Sequence, residues 1–211
     1  MLKIPQDTDR FRRLPQQSRS QKRVTQILEA AARVFGELGY EAASTTAIAK
    51  QAKTSVGSLY RFFPDKAAIF QALASFYMDR VREVFSEMLS SLNCDLPISS
   101  VIDQIIDTYY DDFLSQPGFR AVLLDYHFSP TATAIVENIN REIEPYFEAF
   151  FAARAPEMEP EQIKLISMVT VEACCVLEFV SSQADETLRA KLRAEEKKLL
   201  VAYLKIYFPN G

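Results

Sequence analysis

Between Ser44 and Lys66 the sequence sets two helical runs three residues apart and closes them with a proline. Neither run can stand alone, because an isolated helix shorter than about 12 residues is marginal in water. Such runs persist only when neighbours clamp them. Ser44-Thr45-Thr46 offers capping hydroxyls ahead of Ala47-Ile48-Ala49-Lys50-Gln51-Ala52, which is helical for about two turns. Lys53-Thr54-Ser55 breaks that helix, and Ser55 is placed to cap a second one from Val56 to Phe62. Pro64 ends it, since proline lacks the N–H that continues the ladder.

Longer helices flank the pair. From Arg19 onward, Val24, Ile27, Leu28, Ala31, Phe35 and Leu38 recur at threes and fours, and Gly39 is placed to end that helix in a left-handed cap. Downstream, Asp65 is the expected cap of a long helix that carries Ile69, Leu73, Phe76, Tyr77, Val81, Val84 and Met88 inward. Two short helices at a three-residue turn, held between longer ones, outline a helix-turn-helix unit. The spacing alone equally fits any small helical bundle.

Helical periods continue to the end of the chain. Val101, Ile105, Tyr109 and Phe113 mark one helix, closed by Gln116-Pro117-Gly118, and a shorter segment runs from Phe119 towards Phe128. Ile135, Ile139, Ile143, Phe147 and Phe150 mark another, in which Pro145 predicts a kink or break. The stretch from Ile163 to Ser182 is apolar nearly all round, which predicts a helix buried on several sides. Leu188, Leu192, Leu199, Tyr203 and Ile206 form a stripe on a last helix, Glu186 to Tyr207. With 5 glycines in 211 residues and no alternating pattern, the expected fold class is all-α.

Charge divides the chain. Residues 1–66 hold 12 Lys or Arg against 6 Asp or Glu, and residues 67–211 hold 12 against 22, so a head of +6 precedes a body of -10. A basic head points to a polyanion, although basic residues also cluster on solvated faces. We expect a flexible basic arm at 1–18, a DNA-binding head at 19–66 and a ligand-binding and dimerisation bundle at 67–211. Arg10, Arg12, Arg13 and Arg19 on the arm suit a narrow minor groove, or act only as weak electrostatic attraction. No apolar run reaches the roughly 18 residues of a membrane span, because Glu172 and Glu178 interrupt the stretch from Val169 to Val180. The polar N-terminal residues and three cysteines lead us to expect a reduced, cytoplasmic setting and no membrane contact.

The run Thr45-Thr46-Ala47-Ile48-Ala49-Lys50-Gln51-Ala52, followed by Ser55-Val56-Gly57-Ser58-Leu59-Tyr60-Arg61-Phe62-Phe63-Pro64-Asp65-Lys66, resembles the signature of the TetR family of bacterial regulators. The preceding Phe35-Gly36-Glu37-Leu38-Gly39-Tyr40 also matches, so the resemblance covers residues 20 to about 80. It implies a helix-turn-helix head of three helices. It also implies a C-terminal helical bundle that binds a small ligand and dimerises through its last two helices. The expected function is that of a DNA-binding regulator, a repressor released from a palindromic operator by an apolar or aromatic ligand.

The residues expected at double-stranded DNA follow from that alignment. The second short helix, with Val56 and Phe62 near its ends, would enter the major groove. Gly57 lets backbone and DNA approach, Ser55 and Ser58 offer short hydroxyls, and Tyr60 aims its hydroxyl at a phosphate. Thr45, Thr46 and Lys66 stand at helix starts, whose free amides attract an anion. Arg61 is the long cation suited to guanine, with a phosphate contact or plain solvation equally open. Lys53 occupies a turn where the family often has glycine; it is a further phosphate contact or is simply solvated.

For the small hydrophobic ligand, the candidate lining is Phe76, Tyr77, Tyr109, Phe113, Tyr126 and Phe147, with Glu172 adding polar recognition from a helix expected to be buried. Core packing is the competing role for each aromatic. Enzymatic function is not expected. His127 is the single histidine, no nucleotide-binding glycine loop is present, and Cys174-Cys175 lacks metal-ligand spacing. No catalytic residue, metal or cofactor is assigned. The remaining alternative is a helical carrier of small molecules without regulatory DNA binding.

Overall fold

Local sequence dictates several helix starts. In the computed structural model Asp65 Oδ1 accepts from Ala68 N at 2.7 Å, Asp185 Oδ1 from Leu188 N at 2.8 Å, and Ser44 and Ser55 Oγ each from a backbone N–H three residues on, at 3.1 Å. Each bond satisfies one of the amides that a helix start leaves open. The structure describes residues 18–91, 93, 95–126 and 130–209, with side chains except at 18–19, 125–126 and 130–139. Arg10, Arg12, Arg13, His127 and Phe128, and the side chains of Arg19, Asp125 and Tyr126, lie outside the described residues.

In chain order the helices are α1 (Ser18–Ala42), α2 (Thr45–Gln51), α3 (Val56–Tyr60), α4 (Lys66–Ser91), α5 (Ile98–Tyr109), α6 (Pro117–Tyr126), α7 (Pro130–Arg154), α8 (Pro160–Gln183) and α9 (Glu186–Leu204). A π-helical turn over Tyr110–Leu114 extends α5. The expected all-α class holds, and α7 runs through Pro145 without a break. Helical backbone stops at Gly39 as expected, with φ 74° and ψ 169° rather than a left-handed helical cap, a conformation essentially closed to residues with a Cβ, and a further short helical turn follows across the kink within α1.

The chain divides into two compact units, one made of residues 1–80 with 116–136 and the other of 81–115 with 137–211. In the first, Val24, Ile27, Leu28, Phe35, Ile48, Leu59, Phe63, Ile69 and Leu73 are fully buried. Phe70 meets Phe35 edge-on at 5.1 Å and Tyr40 at 4.9 Å. Helices α1 and α6 pack at two glycines. A Cβ on Gly36 would stand 2.6 Å from Pro117 Cβ, and one on Gly118 would stand 2.7 Å from both Ala32 Cβ and Tyr77 Oη. Only hydrogen fits at either crossing.

In the second unit, α5 faces α9 through an acidic row spaced by four, Asp103, Asp107 and Asp111. Arg193 pairs with Asp107 and Asp111, and Lys197 with Asp103 and Asp107. Burial works against the charge of Asp107, but hydrogen bonds from Lys197 and Arg193 outweigh it and hold its carboxyl below the usual range.

Helix α8 buries Ser167, Thr170, Glu178, Ser181 and Ser182 together with Ile163, Ile166, Val171 and Cys174, while Leu165, Met168, Val169, Val176 and Val180 are exposed. Ser167 and Thr170 close their hydrogen bonds on the carbonyls of Ile163 and Ile166, so they can face inward without cross-helix partners. The stripe expected on the last helix is not the one that packs: Leu188, Leu199 and Ile206 are exposed, Ile206 by 71%, Leu192 and Tyr203 are half-buried, and the buried leucines are Leu200 and Leu204. The expectation that α8 is buried on several sides is therefore corrected: one apolar face is open.

Candidate nucleic-acid interface

The turn between α2 and α3 is built by backbone geometry. Lys53 N donates to Lys50 O at 3.1 Å and Thr54 N to Ala49 O at 3.0 Å, the paired bonds of a Schellman motif. The motif needs a left-handed residue at its pivot, and Lys53 sits there with φ 50°. This is the position where glycine is common in the family named above; lysine supplies the same shape at a steric cost of roughly 1–2 kcal/mol. Ser55 then caps α3, and Thr45 Oγ1 lies 3.2 Å from Tyr60 Oη, tying the start of α2 to the end of α3.

These constraints sort the candidate side chains. Thr46, Lys53, Ser55, Gly57, Tyr60 and Arg61 are exposed; Thr45, Val56 and Ser58 are half-buried. Phe62 is buried with Leu59 and Phe63, so it belongs to the core. Its expected place at the DNA surface is corrected, because α3 ends at Tyr60 and the chain turns inward after Arg61. A Cβ built on Gly57 meets nothing within 4 Å, so nothing in the fold requires glycine there. From Ala42 to Pro64 the chain holds Lys50, Lys53 and Arg61 and no Asp or Glu. The exposed face is therefore cationic, with hydroxyls of Thr45 and Tyr60 among the positive charges.

Lys66 does something different from what its position suggested. Its ammonium donates to the carbonyls of Tyr40 at 2.7 Å, Glu41 at 3.2 Å and Ala43 at 3.1 Å, and lies 4.4 Å above the Tyr40 ring. An ammonium has three donors, and all three are committed to carbonyls that the break at Gly39 turns towards it. Lys66 thus holds the end of α1 against the start of α4. The expected phosphate contact is corrected accordingly.

In the first unit, Phe76 lies 5.4 Å from Tyr77, and Tyr77 meets Phe119 edge-on at 5.4 Å. Burial pushes the Tyr77 phenol up to about 12. In the second unit Tyr109 sits between Phe85 at 6.2 Å and Phe113 at 5.7 Å, and Phe147 lies 6.0 Å from Phe151, whose ring also meets Phe150 and Phe208. Glu172 is exposed, on the open face of α8. The buried carboxylates are instead Glu178 and Glu196, which the sequence reading did not select. A signal existed: Glu196 falls on the same face as Leu192, Leu200 and Leu204, at fours. Cys174 is buried and Cys175 half-buried, both as free thiols pushed up by burial.

Among the described residues no group of three or more His, Cys, Asp or Glu is placed to hold a metal, and no helix is long and apolar enough to cross a membrane.

Comparison with known proteins agrees with this architecture. Residues 27–73 match the family model described as bacterial regulatory proteins, tetR family, and residues 97–204 match the tetracyclin repressor-like C-terminal domain. The chain is 26% identical over 122 residues to the HTH-type transcriptional regulator UidR of Escherichia coli, covering 58% of this chain and 61% of that one. The match thus spans about three-fifths of that relative. Among solved structures, GusR of Salmonella enterica superposes with a TM-score of 0.68 at 17% identity, over 89% of this chain and 96% of that one. FadR of Bacillus subtilis in complex with stearoyl-CoA superposes with a TM-score of 0.62 at 18% identity, over 85% and 98%.

Proposed function

Because the chain belongs to the TetR family of bacterial regulatory proteins, we propose that it is a sequence-specific DNA-binding regulator of transcription, acting as a repressor at a palindromic operator. One observation carries the reading. Gly57 stands on an exposed face with open space before it, among Lys53, Tyr60 and Arg61. Glycine weakens a helix by roughly 0.5–1 kcal/mol relative to alanine. The fold does not need it here, so the open space serves something outside the chain. A helix laid in the major groove needs close backbone approach, cations for phosphates and one long side chain for base edges.

The exposed apolar faces of α8 and α9 support a homodimer, whose two heads would meet successive major grooves about 34 Å apart. A small apolar or aromatic effector bound in the helical body would lower operator affinity by binding the two arrangements unequally, a coupling of about 1–3 kcal/mol. The acyl-CoA in the FadR complex is consistent with an apolar effector.

The test is selection of binding sites from random duplexes, followed by titration. We expect a palindromic sequence. Gly57→Ala should keep or raise thermal stability while weakening the selected site at least tenfold. Arg61→Ala should relax preference at one base pair in each half-site, worth about 1–3 kcal/mol. If no sequence is enriched, the reading fails and the helical carrier remains; if Gly57→Ala binds the selected site as the parent does, Gly57 is not where backbone and DNA approach.

A further inference from the structure

The head joins its two short helices through a pair of hydroxyls. Thr45, the first residue of α2, places Oγ1 3.2 Å from the Oη of Tyr60, the last residue of α3, and either oxygen can be the donor. Caps and core set both ends. Ser44 Oγ accepts from Ala47 N at 3.1 Å beside Thr45, and Ile48 and Ala49 bury the turn that follows. Helix α3 is five residues long, capped by Ser55 and anchored by the fully buried Leu59. A helix this short has little stiffness of its own. The bond to Thr45 ties the far end of the Tyr60 side chain to the rest of the head. Among the described residues neither hydroxyl makes another hydrogen bond.

Each hydroxyl carries one proton, so the pair makes one internal bond and keeps one proton to give away. Tyr60 is 39% exposed and Thr45 is half-buried, so Tyr60 is the outer member. A phosphate oxygen accepts and never donates. Set against Tyr60, it selects one direction: Thr45 donates to Tyr60 Oη, and Tyr60 donates outward. Hydrogen bonds in a chain polarise one another, and the outer bond, made to an anion, is the stronger kind. Lys53 and Arg61 are exposed on the same stretch, which holds no Asp or Glu between Ala42 and Pro64, so the local field draws an anion there.

We propose that Thr45 is a positioning residue that acts on DNA through Tyr60, holding and polarising the Tyr60 hydroxyl towards a backbone phosphate, and makes no DNA contact of its own. The inference rests on DNA binding by this head. It does not rest on a palindrome, a repressor role or an effector.

The experiment is a double-mutant cycle in the full chain: Tyr60→Phe, Thr45→Val and the two together, with Thr45→Ser as the conservative variant. Affinity is read over a range of salt on the selected duplex and on one of scrambled sequence. Tyr60→Phe should weaken both by at least about tenfold, the loss of a hydrogen bond to a charged group, because phosphate contacts carry no sequence information. Thr45→Val should weaken the parent by about three- to fivefold, and by less than about twofold once Tyr60→Phe is present. Thr45→Ser keeps the hydroxyl and should bind within about twofold of the parent. The salt slope should be the same throughout, since no charge is removed. Thr45→Ala takes the place of Thr45→Val if that variant does not melt cooperatively. Equal losses from Thr45→Val with and without Tyr60→Phe would mean a separate DNA contact or a damaged head, and would overturn the proposal. So would Thr45→Ser as weak as Thr45→Val, or Tyr60→Phe as tight as the parent. A parent that binds neither duplex would remove the DNA reading as well, whereas additive losses in a parent that binds would remove this inference alone.

Discussion

Lys53 and Lys66 show how one residue type serves opposite ends in a single small head. Lys53 holds a left-handed backbone for the sake of a turn. Lys53→Gly should remove that strain and, net of the added freedom of the unfolded chain, raise stability by about 0.5–1 kcal/mol, a Tm gain of roughly 2–4 °C. A lower Tm would mean that the lysine side chain contributes more than its backbone costs. Lys66 spends its charge inside the protein, on three carbonyls. Lys66→Met keeps the stem and deletes the donors, and should destabilise by about 1–3 kcal/mol in urea melts. The salt dependence of DNA binding by the folded variant should stay unchanged; a shallower slope would return Lys66 to the DNA. Nothing in the sequence distinguishes these uses. Both lysines follow turn residues, and only the closing of α1 against α4 decides where an ammonium lands.

Helix packing explains glycines that capping rules leave unread. Gly118 looks like a helix stop after Pro117, yet it lies inside α6 and faces Ala32 of α1. Gly118→Ala should push α1 and α6 apart and cost about 1–3 kcal/mol, measured by thermal or urea unfolding. Gly57→Ala on α3 should cost nothing by the same measurement, since its Cβ meets open space. Equal losses in the two variants would show that helix crossing is not what Gly118 serves. The helix periods themselves were legible, because a 3.6-residue repeat of apolar residues is a local property. The buried hydroxyls of α8 were not, because Ser167, Thr170 and Ser182 close their bonds on their own backbone and can turn either way.

At the scale of the whole molecule, the apolar faces of α8 and α9 are too large to be left in water without consequence. Val176 is 61% exposed and Leu199 53%. Val176→Glu and Leu199→Glu should each shift light-scattering mass from dimer towards monomer at micromolar concentration, and weaken operator binding with it. Both variants should still melt cooperatively, since neither side chain lies in the monomer core. A parent chain that scatters as a monomer would remove the dimer altogether.

The sequence by itself determined the helices, their caps, the short-helix pair and the basic head, because each follows from residues within a turn or two of one another. It also carried the family signature, whose residues lie close together in the chain. Tertiary structure decided what each side chain faces. It sent Phe62 into the core and Glu172 to the surface, bound Lys66 to carbonyls more than twenty residues away, and buried Glu178 and Glu196 on separate helices. The reason is physical. Periodicity says which side of a helix is apolar, but burial and charge depend on the neighbour across the gap, and that neighbour is chosen only when distant segments pack.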